Sequence, residues 1–253
     1  MTNNLNAVFG KNSDIIIGMV HLQALPGSPG FSGDLKSIYR QAIEEAKLLE
    51  KVGFDGIIVE NFNDTPYCPN QTPLATVCSM AGIVNTLRDN LDIPIGVNVQ
   101  FNDVQAELAI AQTCGADFIR VEVFVENVMT PQGKIPASSA FVMRMVSDFG
   151  LKRPLILADI RSKGTTPLNP DKDYCELAHQ AEKAGADAVI LTGAATGKST
   201  PLELVSQVRK EINIPAFIGS GVNHDTIDES LATASGVIVG SATKYEGEAS
   251  NKV

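Results

Sequence analysis

Residues 52–60 read VGFDGIIVE, and related stretches recur along the chain. Residues 114–122 read CGADFIRVE, residues 184–192 read AGADAVILT, and residues 234–240 read ASGVIVG, a looser fourth copy. Each stretch joins the end of a predicted helix to a short run rich in Val and Ile, which is typical of a strand buried on both faces of a parallel sheet. This recurrence without a break in composition indicates one closed domain built from repeated βα units.

A second set of strands lies between these copies. The stretches IPIGVNV, RPLILAD and IPAFIGS each open with a proline, at Pro94, Pro154 and Pro215. Proline is tolerated at the first residue of a strand, where its missing N–H blocks no needed hydrogen bond. We predict eight strands, at 15–21, 56–61, 95–99, 118–123, 155–160, 188–193, 216–220 and 236–240. Helices are expected at 34–52, 73–90, 103–114, 138–149, 173–184, 201–212 and 224–232.

Eight βα units predict an α/β fold of the (β/α)8 TIM-barrel class, with residues 1–253 in one domain and residues 1–14 as an N-terminal extension. Only residues 241–253 follow the last strand, so the eighth helix is expected to be short or missing, or residues 1–14 cover part of that gap. A doubly wound sheet is the alternative fold. It would usually carry G-x-G-x-x-G after the first strand, where this chain has HLQALPGSPG.

Composition narrows the classes of partner and location. The chain has 253 residues, of which 44% are hydrophobic and 19% are charged, and its net charge is −9. This acidic balance argues against a nucleic-acid partner or an anionic membrane surface. Apolar runs are too short for a transmembrane segment, and the N-terminal residues lack a signal-peptide core. Because the four cysteines also lack metal-site spacing, we expect a cytoplasmic protein with reduced thiols.

Polar residues cluster at the C-terminal ends of the predicted strands, where barrel enzymes build their active sites. The candidate catalytic residues are His21, Glu60, Arg120, Glu122, Asp159 and Lys163, and the candidate substrate-binding residues are Asn61, Asn98, Arg161 and Thr192. Converging carboxylates can act as acid and base, and Glu60, Glu122 and Asp159 could instead hold Mg²⁺. The alternative is a buried ion-pair network that only stabilises the barrel. A Schiff-base mechanism is less favoured because Lys163, its best candidate, lies in a loop.

Glycine-rich strand ends predict a phosphate site, since barrels often bind phosphate at the loops after strands 7 and 8. The candidate phosphate-binding residues are Gly193, Gly219, Ser220, Gly221, Gly240 and Ser241. Tight turns that need small residues are the alternative reading. The loop TGAATGKS at 192–199 resembles a P-loop, but three residues separate its glycines where that motif has four. Hydrolysis of a nucleoside triphosphate, with Lys198 on the phosphates, therefore remains a minor alternative.

Long motifs over residues 15–247 resemble the BtpA/SgcQ family, among them IIGMVHLQALPGSP, DGIIVENFNDTP and GVIVGSATK. The resemblance implies a phosphate-binding (β/α)8 barrel, similar to the ribulose-phosphate-binding barrels. One family member is described as a factor in photosystem I biogenesis or stability, others resemble proteins found with sugar-transport and carbohydrate-kinase genes, and some carry a nucleoside triphosphatase label. After the fifth strand, relatives tend to read Asp-Val-His-x-Lys-His. Here Asp159 and Lys163 match, whereas Arg161 and Gly164 replace the histidines.

These observations favour an enzyme, an isomerase or lyase, that acts on a small phosphorylated metabolite, most simply a sugar phosphate. The expected chemistry is acid/base isomerisation, epimerisation or aldol-type cleavage, in a homo-oligomer whose cofactor is unknown or Mg²⁺. The alternative of a different kind is a non-catalytic biogenesis or stability factor for a membrane complex such as photosystem I.

Overall fold

The computed structural model of the protein describes residues 5–148, 153–193 and 199–253. Eight parallel strands form a closed barrel in which each strand pairs with the next in the chain and the last pairs with the first. The strands are β1 (Ile15–His21), β2 (Gly56–Glu60), β3 (Ile95–Asn98), β4 (Phe118–Val121), β5 (Leu155–Ile160), β6 (Ala188–Leu191), β7 (Ala216–Ile218) and β8 (Gly236–Val239). The predicted (β/α)8 barrel is confirmed.

Helices alternate with the strands around the barrel. After a short α1 (Leu5–Phe9), they are α2 (Leu35–Lys51), α3 (Leu74–Arg88), α4 (Val104–Cys114), α5 (Ser139–Asp148), α6 (Tyr174–Ala184), α7 (Leu202–Glu211) and α8 (Ile227–Thr233). Aspartates begin three of them, because the side chains of Asp34, Asp103 and Asp173 accept hydrogen bonds from the backbone N–H three residues on. Gly115 and Gly185 end α4 and α6 in the left-handed conformation, at φ 71° and 99°.

The two ends of the chain close the barrel in different ways. Two 3₁₀ turns, Ser241–Thr243 and Tyr245–Gly247, follow β8 in place of an α-helix, as expected. Helix α1 does not fill that gap in the helical layer. Leu5 is buried with residues of the barrel interior, and the ring centroid of Phe9 lies 5.4 Å from that of Phe118 at the start of β4. Helix α1 therefore covers the N-terminal end of the barrel.

The sequence repeat places similar hydrogen bonds at this N-terminal end of the barrel. Its three aspartates, Asp55, Asp117 and Asp187, are called the rim aspartates below. The Asp117 N–H donates to the Ile95 carbonyl over 2.7 Å, and Asp117 Oδ2 accepts from the Ile95 N–H over 3.0 Å. Asp117, directly before β4, thus bonds both backbone groups of Ile95, the first residue of the neighbouring strand β3.

The other copies repeat this geometry. Asp187 bonds both backbone groups of Ile156 in β5, and Asp55 does the same with Ile16 in β1. Each rim aspartate also forms an ion pair with a basic side chain. The N–O distances are 2.8 Å for Lys11–Asp55, 2.8 Å for Arg88–Asp117 and 2.6 Å for Arg153–Asp187. In the fourth copy Ser235 keeps the backbone bond, from its N–H to the Ala216 carbonyl over 2.8 Å.

A small antiparallel sheet lies at the opposite, C-terminal end of the barrel. Its strands are Val128–Thr130, Gly133–Ile135 and Thr166–Pro167, from the loops after β4 and β5. This sheet is not predictable from the sequence, because strands of two or three residues are too short to show a periodic pattern. Among the described helices, none combines the length and apolar character needed to cross a bilayer.

Candidate active site

A cavity of about 630 Å³ opens at the C-terminal ends of β2 to β5 and is called the large cavity below. Its charged lining residues are Glu60, Arg120, Glu122 and Lys163. Glu60, Arg120 and Glu122 are buried, whereas Lys163 is partly buried. Four of the six candidate catalytic residues therefore meet in one space.

A second space, called the small cavity, adjoins the large one. The two share Glu60, Phe62, Arg120 and Lys163 as common walls. The remaining walls of the small cavity include His21, Gly219, Ser220, Gly221, Gly240 and Ser241. The glycine-rich ends of β7 and β8 thus face the same charged groups as the large cavity does.

Two of these glycines are required by the local geometry. A Cβ atom on Gly219 would lie 2.5 Å from Ile190 Cγ2, so the strand end tolerates no side chain there. Gly221 has φ +76°, a conformation that favours glycine. At Gly240, in contrast, a Cβ would make only ordinary contacts, the nearest at 3.5 Å from His21 Cε1. Packing alone therefore does not explain the absence of a side chain at Gly240.

Arg120 and Asp159 form a buried pair at the floor of the barrel mouth. Arg120 Nε donates to Asp159 Oδ2 over 3.1 Å and Nη2 to Oδ1 over 3.3 Å, with the two side chains 6% and 0% exposed. Burial acts to lower the pKa of Arg120, but Asp159, Glu60 and Glu122 together raise it above its ordinary value. The guanidinium therefore stays charged and holds both oxygens of Asp159.

Glu122 is the most perturbed acid that lines the large cavity. Burial, followed by the charge of Glu60, raises its pKa to about 8. Its Oε2 accepts a hydrogen bond from the Asn102 N–H over 2.7 Å, and Asn102 itself adopts a left-handed conformation at φ 60°. A carboxyl with this pKa keeps its proton near neutral pH and can donate it to a substrate.

Glu60 is held by an amide network behind the cavity wall. Gln100 Nε2 donates to Glu60 Oε1 over 3.0 Å and to Asn98 Oδ1 over 3.3 Å. The Gln100 N–H donates to Asn61 Oδ1 over 2.7 Å. Asn61 and Asn98, which we expected to bind substrate, are buried and bond to protein groups. The structure thus places them where they position Gln100, a lining residue that the sequence analysis missed.

A further acid that the sequence analysis missed lies behind this network. Glu107 on α4 is fully buried, and its Oε1 accepts from the Val99 N–H over 2.9 Å and from Asn98 Nδ2 over 3.2 Å. Within the described residues, its Oε2 has no hydrogen-bond partner. Burial raises the pKa of Glu107 well above its ordinary value, which favours a neutral carboxylic acid.

His21 occupies the edge of the small cavity. Its Nδ1 lies 2.7 Å from the Ala249 carbonyl oxygen, so Nδ1 carries the proton and Nε2 is the free acceptor in the neutral ring. The ring stacks on Phe62, with centroids 4.4 Å apart and an interplanar angle of 18°. Burial lowers the pKa of His21, which favours this neutral form.

Lys163 lines both cavities from the loop after β5. Its ammonium group makes no hydrogen bond or ion pair within residues 5–148, 153–193 and 199–253. Burial, followed by the charge of Arg120, lowers its pKa. The Lys163 amine therefore loses its proton more readily than the amine of an exposed lysine does.

Arg161 and Thr192 lie near the site but point elsewhere. Arg161 has φ 58°, and its Nη1 donates to Glu126 Oε2 over 3.1 Å. Its Nη2 reaches the carbonyls of the loop at 169–172. Thr192 Oγ1 donates to the Arg161 carbonyl over 3.3 Å. The described linings of the two cavities include neither residue, nor the buried Gly193, so Arg161 anchors a loop in this structure.

The proposed Mg²⁺ set is not assembled. Within the described residues, no group of three His, Cys, Asp or Glu side chains is arranged to hold a metal ion. The physical reason is visible at Asp159, because Arg120 engages both of its carboxylate oxygens. Lys198, on which the P-loop alternative depends, lies outside the described residues.

The closed parallel barrel, with its charged C-terminal mouth, defines a protein of the (β/α)8 class. Two solved barrels illustrate the likeness: (S)-3-O-geranylgeranylglyceryl phosphate synthase from Thermoplasma acidophilum in complex with sn-glycerol-1-phosphate and the tryptophan synthase alpha-subunit from Pyrococcus furiosus. The first has a TM-score of 0.60 at 14% identity, over 95% of this chain and 89% of the other. The second has a TM-score of 0.61 at 17% identity, over 92% and 90%.

Sequence comparison defines the family. The BtpA family model matches residues 12–253. The Photosystem I biogenesis protein BtpA of Synechocystis sp. is 39% identical over 236 residues, which cover 92% of this chain and 81% of the relative. The chain belongs to the BtpA family, and the resemblance read from its motifs is confirmed.

Proposed function

We propose that this protein is an enzyme that binds a small phosphorylated metabolite, a sugar phosphate, and transfers a proton beside its carbonyl group. One observation carries the proposal: Glu60, Arg120, Glu122 and Lys163 meet in a cavity that continues into the small cavity at the glycine-rich ends of β7 and β8. Loops at those two positions commonly bind phosphate in barrel enzymes. A barrel of similar fold holds sn-glycerol-1-phosphate, which supports the coarser part of the proposal, a small phosphorylated ligand.

In this proposal each charged group has a separate task. The small cavity holds the phosphate through the backbone around Gly221 and Gly240. Arg120 stabilises the oxygen on which negative charge develops. Lys163 in its neutral form takes the proton beside the carbonyl, and the protonated Glu122 returns one to the neighbouring carbon or oxygen. Glu60 and His21 hold substrate hydroxyl groups. Isomerisation uses these steps as written. In epimerisation Glu122 returns the proton to the same carbon from its opposite face. In aldol-type cleavage Lys163 takes the proton of the hydroxyl group beside the C–C bond that breaks, and Glu122 protonates the enolate carbon that is left.

A binding screen on the whole chain tests the proposal. We expect ribose 5-phosphate and ribulose 5-phosphate, but not ribose, to raise the melting temperature. The matched variants are Gly221→Ala and Gly221→Asp: both strain the same backbone, but only the aspartate adds a negative charge at the phosphate. Binding should persist in the first and disappear in the second. A screen in which no phosphorylated sugar stabilises the protein, while unphosphorylated compounds do, would contradict the proposal.

A non-catalytic biogenesis factor is the second candidate, favoured by the name of the Synechocystis relative. In that case Glu122 and Lys163 only stabilise the barrel mouth, and a Lys163→Met variant should keep full biological function. Loss of function in Lys163→Met, but not in the control Lys134→Met on the exposed hairpin, would count against this candidate.

Assembly as a homo-oligomer stays a prediction.

A further inference from the structure

The large cavity offers more room than a pentose phosphate uses. Its volume of about 630 Å³ lies within the range of about 300–1,000 Å³ that is typical of sites for larger organic ligands. In the proposed function the phosphate lies in the small cavity. The outer part of the large cavity is therefore left for a further portion of the substrate.

The chemistry of the cavity changes from its floor to its mouth. The charged lining residues, Glu60, Arg120, Glu122 and Lys163, come from the strand ends and the loop directly after β5. Toward the mouth, where Thr65 and Pro66 are exposed, the described lining carries no charge. This part of the cavity is therefore suited to an uncharged group.

Aromatic rings form much of the uncharged lining of the large cavity. Phe62, Tyr67 and Phe101 all line the large cavity, and all three are only partly buried. Leaving three aromatic surfaces open to water in a concave site has a free-energy cost, and such surfaces mark binding sites. Flat rings also select flat partners, because stacking brings their faces into full contact.

These rings are fixed before any ligand binds. The Tyr67 hydroxyl donates to the Phe62 carbonyl over 2.6 Å, and the ring of Phe62 stacks on His21. Phe101 packs against a buried cluster of Val123, Val128 and Ile135. A preformed aromatic wall binds a ring with little loss of side-chain entropy.

We propose that the substrate is a sugar phosphate that carries an uncharged, planar aromatic group bonded through an amine nitrogen, such as an aryl amine, which lies against Tyr67 and Phe101. When the sugar ring of such a compound opens, a C=N group takes the place of the carbonyl. This inference rests on the proposed function, because it extends the same site outward from the sugar. The phosphate is held at β7 and β8, the sugar lies over the charged floor, and the ring reaches the loops after β2 and β3. Ser162, Thr130 and Gln132 at the wall can bond to substituents of the ring.

Calorimetric titration of the full chain with matched probes tests this assignment. The probes are ribose 5-phosphate, uridine 5′-monophosphate, and 5,6-dihydrouridine 5′-monophosphate, whose base has the same polar groups but is not aromatic. A phenyl riboside 5-phosphate distinguishes an aryl group from a nucleobase. We expect the better of the two aromatic probes to bind about 10-fold or more tighter than ribose 5-phosphate and than the dihydro compound.

Two leucine variants test whether Phe101 causes the preference for the aromatic probe. Phe101→Leu keeps an apolar side chain but removes the ring, so the variant should bind the aromatic probe no more tightly than ribose 5-phosphate. Phe141→Leu, at a half-exposed phenylalanine on α5 outside the cavity, should keep the preference. Equal binding of ribose 5-phosphate and both aromatic probes would overturn this inference and leave the proposed function intact. If no phosphorylated probe binds, the proposed function fails, and this inference fails with it.

Discussion

At the N-terminal end of the barrel, Asp117 and Asp187 each accept from a backbone N–H and from an arginine. At the C-terminal end, Glu122 accepts from the Asn102 N–H, and no basic side chain pairs with it within the described residues. Both ends therefore carry acids at or beside strand termini. They differ in how completely protein groups satisfy those acids.

This difference separates acids that stabilise the fold from an acid that can take part in catalysis. A carboxylate with both oxygens engaged by the protein has little left to offer a ligand, as Asp55, Asp187 and Asp159 show. A buried acid with a raised pKa and a face on a cavity keeps a proton that it can transfer. The arrangement predicts that substitutions at the two ends will have opposite signatures in stability and in activity.

The largest expected effect is on catalysis at Glu122. We expect Glu122→Gln to lower turnover of the metabolite identified by the binding screen by about 10²- to 10⁴-fold, since an amide cannot transfer the proton. The free energy of unfolding should stay unchanged or rise, because a buried ionisable group is removed. Steady-state kinetics and urea denaturation measure the two quantities. Glu44→Gln, on the exposed face of α2, is the control, and an equally large stability loss in Glu122→Gln would place Glu122 with the rim aspartates.

The buried Arg120–Asp159 pair should show the next largest effect, in stability. Arg120→Met leaves the Asp159 carboxylate buried without its partner, and we expect a loss of about 3–5 kcal/mol in the free energy of unfolding. The double variant Arg120→Met/Asp159→Leu should recover most of this loss. Urea denaturation of the single and double variants measures the interaction free energy between Arg120 and Asp159. A double variant as unstable as Arg120→Met would show that packing, and not the unpaired charge, sets the cost.

A smaller stability effect is expected at the opposite end of the barrel. Asp187→Ala removes the partner of Arg153 and of the Ile156 N–H, so we expect a loss of about 1–3 kcal/mol in the free energy of unfolding. The affinity for the phosphorylated ligand should not change. Asp171→Ala, at an exposed aspartate, should be neutral in both measurements. A weakened affinity in Asp187→Ala would show that the two ends of the barrel are coupled.

The pH dependence of stability tests the raised pKa of Glu122 directly. The pKa of Glu122 is about 8 in the folded protein, above its ordinary value of 4.5, so the folded state binds more protons between these pH values. The contribution of Glu122 to stability is therefore present below about pH 4.5 and is lost as pH rises through about 8, by at most about 1.4 kcal/mol per pH unit. The wild-type curve minus the Glu122→Gln curve should fall over this range. A flat difference would mean that Glu122 is ionised throughout.

The sequence predicted the barrel because its βα units repeat, and the repeat sets strand order as well as strand number. It also predicted at which end the charged residues of the cavity meet, since all parallel strands end at the same end of the barrel. The residues that complete the site were harder to find. Gln100 and Asn102 follow β3 as ordinary loop amides, and Glu107 lies on a helix, where an acid is usually exposed. Only the tertiary contacts show that they position Glu60, Glu122 and Asn98.

Arg161 and the small antiparallel sheet show a second limit. Strand parity places a residue on a face, but the left-handed backbone of Arg161 at φ 58° ends that alternation just beyond β5. Its guanidinium turns to Glu126 instead of the cavity. The hairpin that supplies Thr130 and Gln132 to the wall consists of strands too short for a pattern. Loop geometry, which carries most specificity in barrels, is thus the part that sequence patterns describe least.

The rim aspartates also bear on the ancestry of the barrel. Asp55, Asp117 and Asp187 each link an odd-numbered strand to the even-numbered strand that follows, and Ser235 makes the corresponding backbone bond between β7 and β8. The barrel thus divides into four similar βαβ modules, as expected if a smaller gene had been duplicated and fused. Ser235→Asp would restore the motif in the fourth module. A chain split between β4 and β5 would give two half-barrels, each with two βαβ modules.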